Sequence, residues 1–135
     1  MTTAPRQLRL SLLEATFAIV RLPAQSPIPS WAAAGPFFSV TRTADELSIV
    51  AEASRVPPDV QSHSGWRVIQ VHGPFELTEV GVLASLAAPL AAANVSLFVL
   101  STFDTDYLLV PAQNLASAIA ALQNAGHVFL PAARP

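Results

Sequence analysis

Two stretches of the chain repeat the same order of apolar and polar positions. Phe38–Val50 reads FSVTRTADELSIV and Phe98–Val110 reads FVLSTFDTDYLLV, without a gap in either. Each stretch is apolar, then polar and acidic, then apolar again, which is typical of two strands joined by a tight polar loop. The pattern predicts two related units, each built around one β-hairpin.

The best match of the two hairpins by letters sets Phe38 on Phe98, a distance of 60 residues. In this alignment Arg42 stands at the position of Thr102, and Glu46 at that of Asp106. Thr43-x-x-Glu46 has the spacing of a helix capping box, but a polar hairpin turn is the favoured interpretation.

The C-terminal half alternates between strand and helix patterns. Its strands are predicted at Trp66–His72, Ser96–Ser101, Asp106–Val110 and His127–Leu130. The first helix is predicted between Thr78 and Asn94, with a buried stripe at Val80, Leu83, Ala84, Ala87 and Leu90. The second helix carries its stripe at Leu115, Ala118, Ile119 and Leu122, and Gly126 closes it as a left-handed cap. The order strand, helix, strand, strand, helix, strand predicts an antiparallel sheet with both helices on one face, the ferredoxin-like arrangement.

The N-terminal half has strand patterns but little helix. Strands are predicted at Gln7–Leu13, Phe17–Leu22, Phe37–Arg42 and Glu46–Ala51, with one short helical turn at Ser30–Ala34. Polar Val56–Gly65, with its two prolines, is the best linker. We therefore expect an α+β chain in which a reduced unit over residues 1–60 precedes a complete unit over residues 61–135.

Composition narrows the classes of function. Of 135 residues, 52% are hydrophobic and only 12% are charged, about half the usual charged share. A surface so poor in charge favours a partner chain, here a homodimer. The net charge of −2 provides no basic footprint for nucleic acid, and the absence of cysteine excludes thiolate chemistry. No apolar run is long enough for a membrane span, so a soluble cytoplasmic protein is expected.

Several residues of the C-terminal half suit a small ligand that carries both a carboxylate and an ammonium group. The helix after Thr78 would offer backbone N–H groups to a carboxylate, and Gly81, expected in its first turn, would let a ligand approach closely. Asp106 would accept the ammonium, with help from the Thr102 or Thr105 hydroxyl. Alternatives stay open. Gly81 could serve helix packing and Asp106 could be a solvated turn acid, while Phe103 could be a core or dimer contact and Glu79 could complement the helix dipole.

Five short sequence segments are more specific than the order of apolar and polar positions. They read TADELSIV, VPPD, GWRVIQVHGPFE, GVLASLAAPLA and STFDTDYLLV. They resemble a family of small bacterial proteins with two ACT units per chain, and the same segments occur in the animal cytosolic arginine sensors of the TOR pathway. The resemblance implies two ferredoxin-like (ACT) units, a regulatory rather than catalytic role, and an amino acid bound between ACT units. Because a single chain has one complete unit, it also implies that a homodimer builds the site.

The resemblance also implies which residues bind the ligand. Three segments match: a helix start, the hairpin loop, and a segment supplied by the opposite unit. They are Glu79, Gly81, Val82 and Leu83; Thr102, Phe103, Thr105 and Asp106; and Ser96 with Leu97. The sensors have an aromatic residue where this chain has Thr105, so arginine specificity is not implied.

Other functions are less favoured. A ligand-free protein interaction module of the same fold is the main alternative, with an unknown protein as its partner. Asp104-x-Asp106 resembles a metal motif but lacks a third ligand nearby, so no metal or other cofactor is expected. His63, His72 and His127 have neither metal-ligand nor catalytic spacing, and no catalytic residue is expected.

Overall fold

The computed structural model describes residues 7–76 and 78–131. In this part of the chain the strands are β1 (Arg9–Leu22), β2 (Ser39–Arg42), β3 (Leu47–Glu52), β4 (Ser62–Val71), β5 (Phe98–Ser101), β6 (Asp106–Pro111) and β7 (Val128–Phe129). The helices are α1 (Val82–Ala92) and α2 (Leu115–Asn124). Short 3₁₀ turns lie at Ser30–Ala33, Ala53–Arg55 and Ala112–Asn114.

The chain divides into two compact units. The C-terminal unit comprises the described residues up to Leu13 together with those from Arg67 onward, and the N-terminal unit comprises Glu14–Trp66. Both divisions fall inside strands, β1 and β4. The expected boundary between residues 60 and 61 stays a prediction about folding domains.

In the C-terminal unit the strand order is β7, β1, β4, β6, β5. β5 and β6 pair antiparallel, while β7 pairs in parallel with the start of β1. Both helices contribute to one hydrophobic cluster with these strands, through Val82, Leu86, Leu90, Ala118 and Leu122. The sequence of elements from β4 to β7 confirms the ferredoxin-like α+β fold.

The start of α1 differs from the expectation. The helix begins at Val82 rather than after Thr78, and Gly81 is its N-cap with a φ of 92°. A left-handed residue cannot continue a right-handed helix toward the N-terminus, so Gly81 is outside the first turn. The buried stripe consequently moves to Val82, Leu86 and Leu90, and Val80 is 86% exposed instead of buried.

Pro89 lies inside α1, and the helix continues past it to Ala92. Proline has no N–H to donate to the carbonyl four residues earlier, that of Ser85. The Nε2 of His127 lies 2.9 Å from this carbonyl oxygen and takes the place of the missing donor. The Nδ1 of the same ring accepts the Leu8 N–H at 3.1 Å, so the partners specify the neutral Nε2–H tautomer. His127 therefore connects α1 to the start of the chain.

In the N-terminal unit the strand order is β2, β3, β1, β4. Its small core contains Ala18, Val20, Ala32, Leu47, Ile49 and Ala51. Two expectations were wrong here. β1 is one strand rather than two, because no glycine or proline interrupts the extended backbone between Leu13 and Phe17. Glu14 and Thr16 are exposed on the face where Leu10 and Ala18 are buried. β4 begins at Ser62, inside the expected linker.

Both expected hairpins exist, but their alignment was wrong by one residue. β2 and β3 pair Arg42 with Leu47, whereas β5 and β6 pair Ser101 with Asp106. Each structural counterpart is therefore 59 residues away, from Arg42 to Ser101 and from Leu47 to Asp106. A shift of one residue moves every strand side chain to the other face. The sequence alignment of the two hairpins had set Glu46 on Asp106, whereas the structure superposes the buried triplets 49–51 and 108–110.

Candidate functional site

The C-terminal unit has a cleft of about 290 Å³ between the segment after β4, the start of α1 and the β5–β6 loop. Its lining residues are Phe75, Glu76, Glu79, Gly81, Val82, Leu83, Ala84, Ser101, Thr102, Phe103, Asp104, Thr105 and Asp106. The helix end and Asp106, which were predicted to act together, thus face one space.

The helix end supplies backbone donors to this cleft. Gly81 has left-handed φ, and a Cβ atom built on it would have no described atom within 4 Å. No side chain in the described part of the chain caps α1. The first N–H groups of a helix have no partner within the helix, and the dipole makes this end positive. The N–H groups of Val82, Leu83 and Ala84 therefore suit a carboxylate.

The β5–β6 loop is held by its threonines. The Thr102 hydroxyl donates to the Thr105 carbonyl at 3.0 Å and accepts the Thr105 N–H at 3.2 Å. The Thr105 hydroxyl donates to the carbonyl of Val71 at 2.6 Å, which connects the loop to the end of β4. Since each hydroxyl proton is already used, the oxygens can offer a ligand only acceptor capacity. That capacity suits an ammonium group.

The end of β4 also contacts the loop through its backbone. The N–H of Phe75 donates to the Asp104 carbonyl at 2.8 Å. A Cβ atom on Gly73 would lie 2.8 Å from the same carbonyl oxygen, so only glycine permits this approach. The contact brings Phe75 and Glu76 to the cleft.

The charge of the cleft is one-sided. The described residues that line it include four acids, Glu76, Glu79, Asp104 and Asp106, and no lysine, arginine or histidine is among them. Asp106 is half-buried, and the Ser101 hydroxyl donates to its Oδ1 at 2.6 Å. Carboxylates gathered around a concave site attract cations and repel anions.

Apolar side chains surround this acidic site. Phe103, at the tip of the loop, is 78% exposed, and Leu83 in the first turn of α1 is also exposed. Because both residues line the cleft, their side chains give it an apolar rim. An aromatic ring in this place can cover the aliphatic part of a ligand or contact a second protein chain.

Most of the predicted site residues lie together in the cleft, namely Glu79, Gly81, Val82, Leu83, Thr102, Phe103, Thr105 and Asp106. Ser96 and Leu97 do not line it. Ser96 is exposed, and Leu97 packs partly buried against the core cluster. These two were assigned to the opposite unit of a dimer, and that role stays a prediction.

Sequence reasoning missed five lining residues, which are Phe75, Glu76, Ala84, Ser101 and Asp104. Ala84 and Asp104 adjoin predicted site residues and could have been included on that ground. Phe75 and Glu76 reach the cleft through backbone contacts that no spacing reveals. Ser101 likewise adjoins the predicted Thr102, but its contact with Asp106 depends on the register of β5 with β6, for which no prediction was made.

The hairpin of the N-terminal unit has no equivalent of this site. Leu47, fully buried, stands at the position of Asp106, and Arg42 stands at that of Ser101. The Arg42 guanidinium donates to the carbonyls of Ala24 and Ser26. This hairpin therefore has no acid at the position of Asp106, and its own acids, Asp45 and Glu46, lie within the loop.

The described residues, 7–76 and 78–131, lack two further features. No group of three or more histidine, aspartate or glutamate side chains is arranged to hold a metal ion in this part of the chain. No helix in it combines the length and the apolarity that crossing a bilayer requires.

Comparison with known proteins agrees with the fold. A family model described as an ACT domain matches residues 61–124, and a second model, for an N-terminal domain, matches residues 15–59. The crystal structure of protein Atu0741 from Agobacterium tumefaciens is 41% identical with a TM-score of 0.89 and covers 96% of each chain. An aspartate kinase from Clostridium acetobutylicum has the same fold at 11% identity, with a TM-score of 0.64 over 88% of this chain and 34% of its own.

The C-terminal part of the chain, residues 61–124, belongs to the ACT-domain family. A curated relative, subunit 1 of the bovine "Cytosolic arginine sensor for mTORC1", is 34% identical over 128 residues. The match includes 84% of this chain but only 39% of that sensor. The chain thus matches the bacterial protein Atu0741 over 96% of both chains, whereas it spans only 39% of the animal sensor.

Proposed function

We propose that this protein is an amino-acid-binding regulatory protein whose ligand occupies the cleft of the C-terminal unit. The main supporting observation is that one cleft is lined both by hydrogen-bond donors suited to an anion and by a carboxylate suited to a cation. Free N–H groups at the start of α1 and the carboxylate of Asp106 both line the cleft. A zwitterion needs such a pair of anion and cation partners.

In the proposed complex the ligand carboxylate accepts from the N–H groups after Gly81, where the helix dipole favours negative charge. The ligand ammonium donates to Asp106, with the Thr102 and Thr105 oxygens as further acceptors. Neither step makes or breaks a covalent bond. The role is therefore regulation by binding, without catalysis.

The charge of the lining favours a ligand with a basic side chain. Glu76, Asp104 and Asp106 line the cleft, and no lysine, arginine or histidine is among its described lining residues. This charge disfavours glutamate or aspartate as ligands and favours an additional positive charge. The bovine relative is named as an arginine sensor, which agrees with this sign of charge. L-Arginine and L-lysine are thus the first ligands to test.

We further propose that a homodimer completes the site. Ser96 and Leu97 lie outside the cleft and would reach a second copy of it, and the apolar rim would be covered by the partner chain. Analytical ultracentrifugation at micromolar concentration should show a species of twice the 14.2 kDa chain mass. A monomer at this concentration would contradict the proposal that Ser96 and Leu97 of a second chain complete the site.

A panel of the twenty amino acids in a thermal-shift assay tests the proposal. A ligand at 100 times its Kd stabilises the native state by about 2.7 kcal/mol, which raises the Tm by several degrees. Arginine or lysine should give the largest shift, and glutamate should give none. The proposal fails if no amino acid at millimolar concentration changes the Tm.

Gly81→Ala separates backbone strain from ligand binding. Alanine at a left-handed φ costs about 1–2 kcal/mol of stability. At Gly81 the added methyl group would also stand beside the ligand carboxylate. We expect a Kd increase of roughly tenfold or more, the usual cost of losing one hydrogen bond to a charged group.

Gly65→Ala is the matched control for this substitution. Gly65 also has a positive φ, 83°, with open space around its missing Cβ, but it lies in β4 of the N-terminal unit. Both variants should lose similar stability in denaturant unfolding. Only Gly81→Ala should weaken binding in calorimetry, and equal Kd values for the two variants would place the ligand away from the start of α1.

A protein interaction module is the second candidate, favoured by the exposed side chains of Val80 and Phe103. On this account the apolar rim binds an unknown protein and the cleft is empty of ligand. Phe103→Ser would then abolish partner binding, whereas Asp106→Asn would change nothing. We also propose a cytosolic location for this chain, because the curated animal relatives are named as cytosolic sensors.

A further inference from the structure

Ser101 and Asp106 face each other across the last pair of the β5–β6 hairpin. The Ser101 hydroxyl donates to Oδ1 of Asp106 at 2.6 Å, the short distance typical of a hydroxyl bonded to an ionised carboxylate. Ser101 is exposed, so the protein core does not depend on this bond. The contact does, however, restrict how the Asp106 carboxylate can rotate.

The other hairpin shows that the pair is not a requirement of the turn. Both loops begin with a threonine at equivalent positions, Thr43 and Thr102. The N–H of Thr43 donates to the Glu46 carbonyl at 2.9 Å, and the N–H of Thr102 donates to the Thr105 carbonyl at 2.7 Å. The last strand pair before the loop is nevertheless Arg42 with Leu47 in the N-terminal unit. Thus the serine–carboxylate pair occurs in the hairpin that lines the cleft, and the hairpin without a cleft acid lacks it.

We infer that Ser101 is a positioning residue for Asp106 and helps to set the affinity of the cleft. This inference rests on the proposed amino-acid site. By holding Oδ1, the serine directs the remaining lone pairs of the carboxylate toward the ligand ammonium. It also lowers the entropy that the Asp106 side chain loses when the ligand binds.

The test uses isothermal titration with L-arginine and L-lysine on the full chain. Ser101→Ala should raise the Kd roughly two- to tenfold, which is the effect of immobilising one side chain. Ser101→Thr keeps the hydroxyl and suits a strand, so it should restore the wild-type Kd. Ser62→Ala, at an exposed strand serine of the N-terminal unit, is the matched control and should leave the Kd unchanged.

A double substitution shows whether Ser101 acts through Asp106. In the Asp106→Ala background, Ser101→Ala should cause no further loss of affinity, because the group that it orients is gone. Equal additional losses in both backgrounds would contradict the inference, as would a Ser101→Thr variant as weak as Ser101→Ala. If Ser101→Ala binds with the wild-type Kd while Asp106→Ala binds more weakly, the inference about Ser101 is wrong and the proposed function stands. If the wild-type protein binds no amino acid, the proposed function is wrong as well.

Discussion

Asp106→Asn is expected to weaken amino-acid binding by about 1.5–3 kcal/mol, or roughly 10- to 150-fold in Kd. Asparagine has nearly the same shape as aspartate but cannot offer the ammonium a full negative charge. Because Asp106 is half-buried at the edge of the hairpin, the substitution should leave the fold and the dimer intact. Calorimetric titration with the best ligand of the panel measures the effect.

Asp45→Asn provides the control for charge. Asp45 is an exposed acid in the turn of the N-terminal hairpin, where no cleft acid is present. Its removal changes the net charge by the same amount and should leave the Kd within about twofold of wild type. If both variants weaken binding equally, the effect is one of overall charge and the site is not at Asp106.

His127→Ala is expected to lower the free energy of unfolding by about 2–6 kcal/mol. The ring of His127 is 3% exposed and bonds two backbone groups, the Leu8 N–H and the Ser85 carbonyl. Each buried backbone group left without a partner costs about 1–3 kcal/mol. Urea unfolding followed by circular dichroism measures the loss.

Two further variants make this test specific. His63 is exposed, so His63→Ala should change stability by no more than about 0.5 kcal/mol. Pro89→Ala restores the helical N–H that the Ser85 carbonyl lacks, so His127→Ala should cost less in that background than in wild type. A loss of the same size in both backgrounds would show that His127 does not replace the missing donor of α1.

Local patterns were sufficient for the order of elements in the C-terminal unit. Alternation located β5 and β6, and the stripe through Ala118 and Leu122 located α2. Gly126, as expected, closes that helix with a φ of 100°. Such features depend on residues close in sequence, which is why periodicity and cap residues detect them.

Errors arose where two segments had to be compared or where one residue changed the backbone. The match by letters aligned Glu46 with Asp106, although burial aligns Leu47 with Asp106. A pattern of apolar residues also cannot show that Gly81 has a left-handed φ, and the start of α1 was therefore placed too early.

The candidate site could be foreseen only in part for a similar reason. The family segments already contained Gly81 and Asp106, which the fold brings to one cleft. Ser101 and Phe75 join them through a strand register and a backbone bond from Phe75 to Asp104. Contacts of this type come from tertiary structure and leave no trace in residue spacing.

The binding site can be located by a crystal structure of the protein grown with the amino acid that gives the largest thermal shift. We expect a ligand whose carboxylate lies at the N–H groups after Gly81 and whose ammonium lies within hydrogen-bond distance of Asp106. A ligand bound elsewhere, or one with both charged groups away from these two partners, would contradict this expectation.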